Sequence, residues 1–386
     1  MEYCNIRYIN DVFNNVLRVD ERELSSLYED IEQASCIVPC GAGRSEQSLL
    51  ISMSQLAKMR MKKRKVIQYP EGPGFPAGNM YDAASILEEL YSNDGHVYLL
   101  INSGSGKTKA PLVMAEELAR YIEKTGTKNF RMGLITSMPQ SPIAKIVKKY
   151  GSVVRVEGRT KEEAERPLGY RTTGIMGDKF ELASGFLLST IVEGLFKGYT
   201  VEKLYGIMRR EARLLGRLID RTVESEDYRK SIDILERRSN VFGGGRGTSM
   251  FVVKTLLIRL GHVKGPLGDS VFVAGGINTP RPRAGDLGIF ISYSGETQQV
   301  LNWAEQMKEM NAYVISITSQ ENSSLNRISD MKIVIPEGRM PGEPRWFYIR
   351  SVFITSPQPV LLCGRLEERG LPLGEDILKW YHSIME

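Results

Sequence analysis

A loop of alternating hydroxyls and glycines, Ser103-Gly104-Ser105-Gly106-Lys107-Thr108, follows an apolar run at 96–102 and precedes a segment with helical spacing. In an open α/β sheet such a loop lies at the carboxyl end of a strand, where ligands bind. Unpaired amides and the positive end of the helix dipole attract anions there. Glycine permits close backbone approach, and Ser103, Ser105 and Thr108 add hydroxyl donors. This is chemistry for a phosphate; a tight turn without a ligand is the plain alternative. A nucleotide-gripping P-loop needs glycine at 101, where the chain has Ile101, and this argues against nucleotide hydrolysis.

Further hydroxyls follow the next apolar run. Ser137 lies just past it, and Ser141-Pro142 opens a helix with serine at the N-cap and proline at N1. For both serines, capping and phosphate contact remain open. Arg44 and Arg246 each follow a glycine-rich turn, where a guanidinium clamps a phosphate or joins a surface ion pair. Asp178 and Glu181, three apart, read as an N-terminal capping box with Asp in place of the usual Ser or Thr.

These residues recur in order. CGAGRS at 40–45 is answered by GGGRG at 243–247, NSGSGKT at 102–108 by ISYSGET at 291–297, and ITSMPQSPIAK at 135–145 by ITSQENSSLNR at 317–327. Three ordered matches predict a duplication. Ser292, Ser294 and Thr297 thereby become a second candidate phosphate loop, with Glu296 where the first has Lys107.

The elements that must position them read as an α/β grammar. Short apolar runs such as HVYLLINS, MGLITS, LGIFISYS and AYVISITS are buried strands. Between them lie helical faces: Leu112, Ala115, Leu118 and Ile122, then Val300, Ala304 and Met307. Strand, Gly/Ser turn, helix, strand implies a parallel sheet covered on both faces. The expected organisation is a helical arm over 1–34, a first domain over 35–197, a helical connector over 198–237 and a second domain over 238–386.

Composition narrows the class. With 386 residues, 25% charged, 42% hydrophobic and a net charge of +5, the chain is neither disordered nor fibrous, and the mild positive excess suits anionic small molecules. No run of apolar residues is long enough to span a membrane, and the start does not resemble a signal peptide. Four cysteines and three scattered histidines form no metal-ligand set, so neither a metal nor an organic cofactor is expected. A soluble cytoplasmic protein is the expectation. The basic run Lys58 to Lys65 is read as a solvated face late in the first helix of the first domain, and nucleic acid is an unlikely partner.

The strand–SxSGxT–helix and strand–TSxxxS patterns, each present twice, resemble the sugar isomerase (SIS) domain family. The Gly41-Ala42-Gly43-Arg44-Ser45 turn and the Ile175-Met176-Gly177-Asp178-Lys179-Phe180-Glu181 element are similar to the 6-phospho-3-hexuloisomerase branch of that family. The resemblance covers about 35–190 and 235–386. It implies two tandem three-layer α/β/α sandwiches with parallel sheets, joined by long helices. It also implies a phosphorylated sugar as ligand, Glu181 in the place of the general base, and ketose–aldose interconversion through an enediol. The second half departs from the pattern: Trp346 falls opposite Glu181, Tyr293 replaces a loop glycine, and Arg259 stands where the family has histidine, with His262 three residues on.

The expected function is therefore a phosphosugar isomerase with Glu181 and His262 as acid/base groups. Arg44, Ser103, Ser105, Thr108, Ser137 and Ser141 would hold phosphate in the first half, and Arg246, Ser292, Ser294 and Thr297 in the second. A non-catalytic phosphosugar sensor or regulatory protein is the alternative, and an aminosugar-deaminating isomerase a third. Fused halves imply an internal pseudo-dimer that pairs again as a homodimer.

Overall fold

The computed structural model describes residues 2–61, 64–159, 175 and 178–371. Met176 and Gly177 of the Ile175–Glu181 element lie outside the described residues. Two helices, α1 (Arg7–Leu17) and α2 (Glu21–Gln33), precede the first sheet. Asp20 starts the second of them by accepting from the amides of Arg22 and Glu23, the usual remedy for unpaired first-turn donors.

The first α/β unit runs β1 (Ala34–Gly41), α3 (Gly43–Leu56), β2 (Val66–Ile67), α4 (Met80–Tyr91), β3 (His96–Asn102), α5 (Lys109–Thr125), β4 (Phe130–Thr136), α6 (Pro142–Val147) and β5 (Gly151–Arg155). Helices α7 (Asp178–Lys197), α8 (Val201–Val223) and α9 (Glu226–Glu236) lead to the second unit. That unit contains β6 (Val241–Gly245), α10 (Thr248–Lys264), β7 (Val271–Val273), β8 (Leu287–Ser292), α11 (Gln298–Glu309), β9 (Tyr313–Thr318), α12 (Ser324–Ile328) and β10 (Met331–Val334). Helices α13 (Phe347–Thr355) and α14 (Pro357–Glu368) follow.

All pairings are parallel, in the orders β2-β1-β3-β4-β5 and β10-β9-β8-β6-β7. The strand order reverses direction between β1 and β3 in one sheet, and between β6 and β8 in the other. Each reversal opens a crevice at the carboxyl ends of the strands, the place where such sheets bind ligands. Two parallel-sheet α/β units are thus present, with β1, β3, β4, β6, β8 and β9 nearly continuous buried runs, as burial on both faces demands.

The inner faces of both sheets share one hydrophobic core with the helices between them. Phe13 of α1, Phe186 of α7 and Phe353 of α13 meet there with ring centroids 5.4–5.8 Å apart, tying the leading helix to both units. Helix α3 packs against its counterpart α10, so the helix following the first strand of each unit faces the other unit. The outer faces differ. Two helices, α4 and α5, cover most of the first sheet, whereas a helix-free loop over 274–286 links β7 to β8. Phe242, Trp303 and Met307 consequently line an open groove of about 560 Å³.

Three details depart from the sequence expectations. Strand β2, only two residues long, was not anticipated. The basic run is not the end of a helix, because α3 stops at Leu56. Its members are also not uniformly solvated: the Lys65 ammonium is buried, donating to the carbonyl of Ala34 at 2.6 Å and to that of Glu32. Carbonyls at the α2–β1 junction draw that lysine inward. The Asp178–Glu181 capping box is replaced by another arrangement, in which the Asp178 carboxylate reaches back to accept from the Ile175 amide at 2.7 Å.

Candidate functional site

The two serine loops have nearly the same internal geometry. Ser103 and Thr108 share a hydroxyl–hydroxyl hydrogen bond of 3.1 Å, and so do Ser292 and Thr297. The Lys107 amide donates to Ser105 Oγ at 3.2 Å, and the Glu296 amide to Ser294 Oγ at 3.2 Å. Gly106 (φ 57°) and Gly295 (φ 67°) take the left-handed turn that lets each loop fold back. Thr108 and Thr297 then lead into α5 and α11, whose dipoles point their positive ends at the crevices.

In the first crevice the loop meets the other predicted groups. The Ser137 amide donates to the Gly104 carbonyl at 3.1 Å, and Ser137 Oγ donates to the Val156 carbonyl at 2.7 Å. Ser141 caps α6 by accepting from the Ala144 amide at 3.3 Å. Its hydroxyl lies so close to Gly106 that a side chain there would collide with it. Gly104 is likewise crowded by the Phe180 ring of α7, one residue before Glu181. The structure therefore gathers Ser103, Ser105, Thr108, Ser137, Ser141 and Glu181 at one edge of one sheet.

Arg44 turns inward rather than toward the serine loop. Its guanidinium pairs with Asp178 and, at 2.9 Å, with Glu181. Arg259 arrives from α10 of the second unit and donates to the same carboxylates, at 2.9 Å to Asp178 and 3.4 Å to Glu181. All four side chains are buried. Two cations and two anions cancel in charge, which makes a low-dielectric position tolerable. The carboxylates hold the Arg44 guanidinium well above its ordinary range despite the cost of burial. Tyr8 of α1 lies behind the cluster, its hydroxyl bonded to Ser356 at 3.0 Å and its ionisation pushed up by burial.

His262 lies on the far side of Arg259, its Nδ1 3.2 Å from that guanidinium. Arg259 thus stands between His262 and Glu181. Among the described residues, no group of His, Cys, Asp and Glu is arranged to hold a metal ion.

Glu46 was missed by sequence reasoning. It sits in the first turn of α3, beside the end of β1, where an acidic residue reads simply as a dipole partner. Burial pushes its carboxyl up to about 7; the neighbouring Glu71 adds to the shift, while Lys254 of the second unit and the Gln47 amide oppose it. Next to it, Asn102 at the end of β3 donates to the Ser45 carbonyl at 2.7 Å and to Ser184 Oγ at 3.0 Å. Its fully buried Oδ1 has no partner among the described residues. Asn102 ends β3 and Glu46 follows the end of β1, so both flank the point of reversal that only the strand order reveals.

The second crevice collects Ser292, Ser294 and Thr297 with Arg246, which is exposed just past β6. These residues belong to the other sheet and do not join the Glu181 cluster. Tyr293 leaves the loop opening, its hydroxyl donating to the Glu337 carbonyl at 2.9 Å while Arg345 stacks 3.8 Å over its ring. Trp346, opposite Glu181 in the repeat, is buried core against Phe186.

Comparison with known proteins agrees with this fold. The family model of the SIS domain matches residues 234–349. An uncharacterised protein of Methanothermobacter thermautotrophicus is 34% identical over 152 residues, 39% of this chain and 74% of that protein. The 3-hexulose-6-phosphate isomerase of Bacillus subtilis is 30% identical over 123 residues, which is 32% of this chain and 62% of the enzyme, a little under two thirds of its length. In three dimensions the chain is similar to tagatose-6-phosphate ketose/aldose isomerase from Escherichia coli, with a TM-score of 0.57 at 12% identity, covering 94% of this chain and 92% of that one. At that identity the likeness speaks for the fold. Among the described residues, no helix is long and apolar enough to cross a membrane.

Proposed function

We propose that this chain, which belongs to the SIS domain family, binds a phosphorylated sugar in its first crevice and interconverts the ketose and aldose forms. One observation carries the reading. The serine loop Ser103–Thr108 and the start of α7 touch through Gly104 and Phe180, so a phosphate anchor and a fixed carboxylate, Glu181, share one edge of the sheet.

Ketose–aldose exchange needs a proton moved between neighbouring carbons and another moved between their oxygens. Glu181, aimed by Arg44 and Arg259, takes the proton from the carbon beside the carbonyl and returns it to the other carbon of the enediol. Glu46, protonated in about half of the molecules near pH 7, serves the oxygens. Ser103, Ser105 and Thr108, with the positive end of α5, hold the phosphate. Ser141 and Ser137 close the far side of that loop. His262 acts through Arg259, not on the sugar.

The test follows a ketose and an aldose hexose phosphate with the whole chain and with Glu181→Gln. Undiminished turnover in the variant removes Glu181 from the mechanism. A second reading, a non-catalytic phosphosugar sensor built as a pair of such chains, is favoured by the two guanidiniums that already engage Glu181. Thermal stabilisation by a sugar phosphate without isomer formation supports that reading over the first.

A further inference from the structure

Asn102 carries a cost that the fold does not require. It is the last residue of β3, fully buried, and pairs in register with Gly41 at the end of β1. Its amide nitrogen donates twice, to the Ser45 carbonyl at 2.7 Å and to Ser184 Oγ at 3.0 Å. Chemistry fixes this orientation, because turning the amide over would set Oδ1 against a carbonyl that can only accept. Oδ1 is left without a partner among the described residues. A buried carbonyl so stranded is destabilising, and its retention calls for a reason.

The reason lies at the far ends of the two bonds. The Ser45 carbonyl belongs to the peptide that joins Ser45 to Glu46, in the first turn of α3. Ser184 Oγ, on receiving from Asn102, gives its own proton to the Glu181 carbonyl at 3.2 Å. Such a relay, in which each acceptor also donates, strengthens every bond in it. Ser48 of α3 donates to the same Glu181 carbonyl at 3.0 Å. The elements are tightly apposed here: a side chain at Gly41 would strike the Glu46 backbone, and one at Gly185 would meet Ser48. One neutral side chain thus ties the end of β3 to the first turn of α3 and the first turn of α7.

The second half lacks this network as a whole. In the repeat register Ile291 stands opposite Asn102, Met250 opposite Ser48 and Ile349 opposite Ser184. The same register puts Thr248 opposite Glu46 and Trp346 opposite Glu181. Where both carboxylates are absent, the clamp is absent too, and Ile291 and Ile349 are ordinary buried core. The parallel sheet therefore closes without a polar residue at this position. We propose that Asn102 is the positioning residue of the first crevice, a clamp that holds Glu46 and Glu181 in one fixed relation so that each serves its own part of the same sugar. The inference rests on the isomerase reading above. Alignment of this kind is worth much in rate, because a displacement of about 1 Å costs on the order of 10²-fold.

Asn102→Leu keeps the shape and removes both donors. In the whole chain it is expected to lower kcat for ketose–aldose interconversion on the order of 10²-fold while KM stays within about threefold, since the serine loop still holds the phosphate. A second readout needs no ligand. Glu46 faces the Gln47 amide of its own helix, Glu71 beyond β2, Lys254 of α10 and the Cys40 thiol of β1. Its share of stability is the difference between each chain and its Glu46→Gln counterpart in thermal unfolding from pH 4 to 8. In the parent that share fades as pH rises through about 7. With the first turn of α3 released towards water, the fading is expected about one pH unit lower in Asn102→Leu. Ser184→Ala cuts only the arm to α7. It should lower kcat roughly three- to tenfold, because Ser48 still holds Glu181, and leave the Glu46 midpoint in place. Parent kcat in both variants overturns the proposal, as does a Glu46 midpoint that Asn102→Leu leaves unmoved. If Asn102→Leu does not fold, parent kcat in Ser184→Ala is enough to overturn it. A parent chain that forms no isomer counts against the isomerase reading, and the ligand-free midpoint still decides whether Asn102 holds Glu46.

Discussion

The two crevices share strand order, serine-loop geometry and a pair of helix N-termini, yet their chemistry is opposite. The first is lined by carboxylates: Glu181 is held in a buried ion cluster, and Glu46 stands at the mouth with its proton weakly released. Its own arginine is turned away from the loop. In the second, Glu296, Glu337 and Glu343 accept from backbone amides, and among the described residues no ion pair joins Lys58, Arg246 or Arg345 to a carboxylate. On the proposed reading the backbone sets where an anion would bind, and the side chains that follow β1 and β6 decide what else would happen there. Each crevice is also composite: Arg259 and Lys254 reach the first from the second unit, and Lys58 makes the reverse crossing.

Removing the carboxylate that distinguishes the first crevice is expected to have the largest effect. Glu181→Gln should lower isomer turnover on the order of 10³-fold, within the range for a positioned acid/base group. The matching change in the second half, Trp346→Phe, should leave turnover within about threefold, because that ring is buried core packed on Phe186 and brings no polar group to the first crevice. Steady-state assays on both variants check this contrast. Next in size is the crossing arginine. Arg259→Met leaves Asp178 and Glu181 buried with one guanidinium between them, and should cost roughly 3–5 kcal/mol in denaturant unfolding. Exposed Arg246→Met should stay within about 0.5 kcal/mol. Similar losses in the two would mean that the buried cluster contributes nothing particular to joining the units.

A smaller and pH-dependent effect comes from Glu46. Its carboxyl is raised from an ordinary 4.5 to about 7 by burial and by Glu71. Between those values the folded chain holds a proton that the unfolded chain has lost. The associated stability is complete below about pH 4.5 and is lost as pH rises through 7. Glu46→Gln, neutral at every pH, should flatten this part of the stability profile measured by thermal unfolding from pH 4 to 8. If Glu46 also serves the sugar oxygens, the same variant loses the alkaline limb of the activity profile. A profile that keeps its slope in the variant assigns the titration to another group.

The elements were legible wherever apolar runs and glycine turns coincided. Strands β1, β3, β4, β8 and β9 announce themselves because burial on both faces demands uninterrupted Val, Ile and Leu. Strand β2 did not, being two residues placed by pairing with Cys36 and Ile37 after a basic run. The serine loops were legible because a strand–turn–helix phosphate cradle requires small and hydroxyl residues in close succession. The partners of Glu181 were not, since Arg44 to Asp178 and Arg259 to Glu181 are contacts across 134 and 78 residues. Such contacts depend on how α3, α7 and α10 pack. Lys58 was hidden for the same reason: only the packing of α3 on α10 brings it over Gly247.

The finest distinction between the crevices concerns the two cap serines. Ser141 accepts from the Ala144 amide at 3.3 Å and Ser323 from the Asn326 amide at 3.4 Å, each at the start of a helix of only five or six residues. Each hydroxyl also nests against the left-handed glycine of its serine loop. As caps they are equivalent, so Ser141→Ala and Ser323→Ala should each cost about 1 kcal/mol in unfolding without ligand. The pair separates only when a ligand is added. If Ser141 also contacts phosphate and the monophosphate binds in the first crevice as proposed, Ser141→Ala weakens the thermal stabilisation given by fructose 6-phosphate, while Ser323→Ala leaves it unchanged. Equal stabilisation in both variants reduces Ser141 to a cap, and the phosphate is then held by Ser103, Ser105 and Thr108 alone.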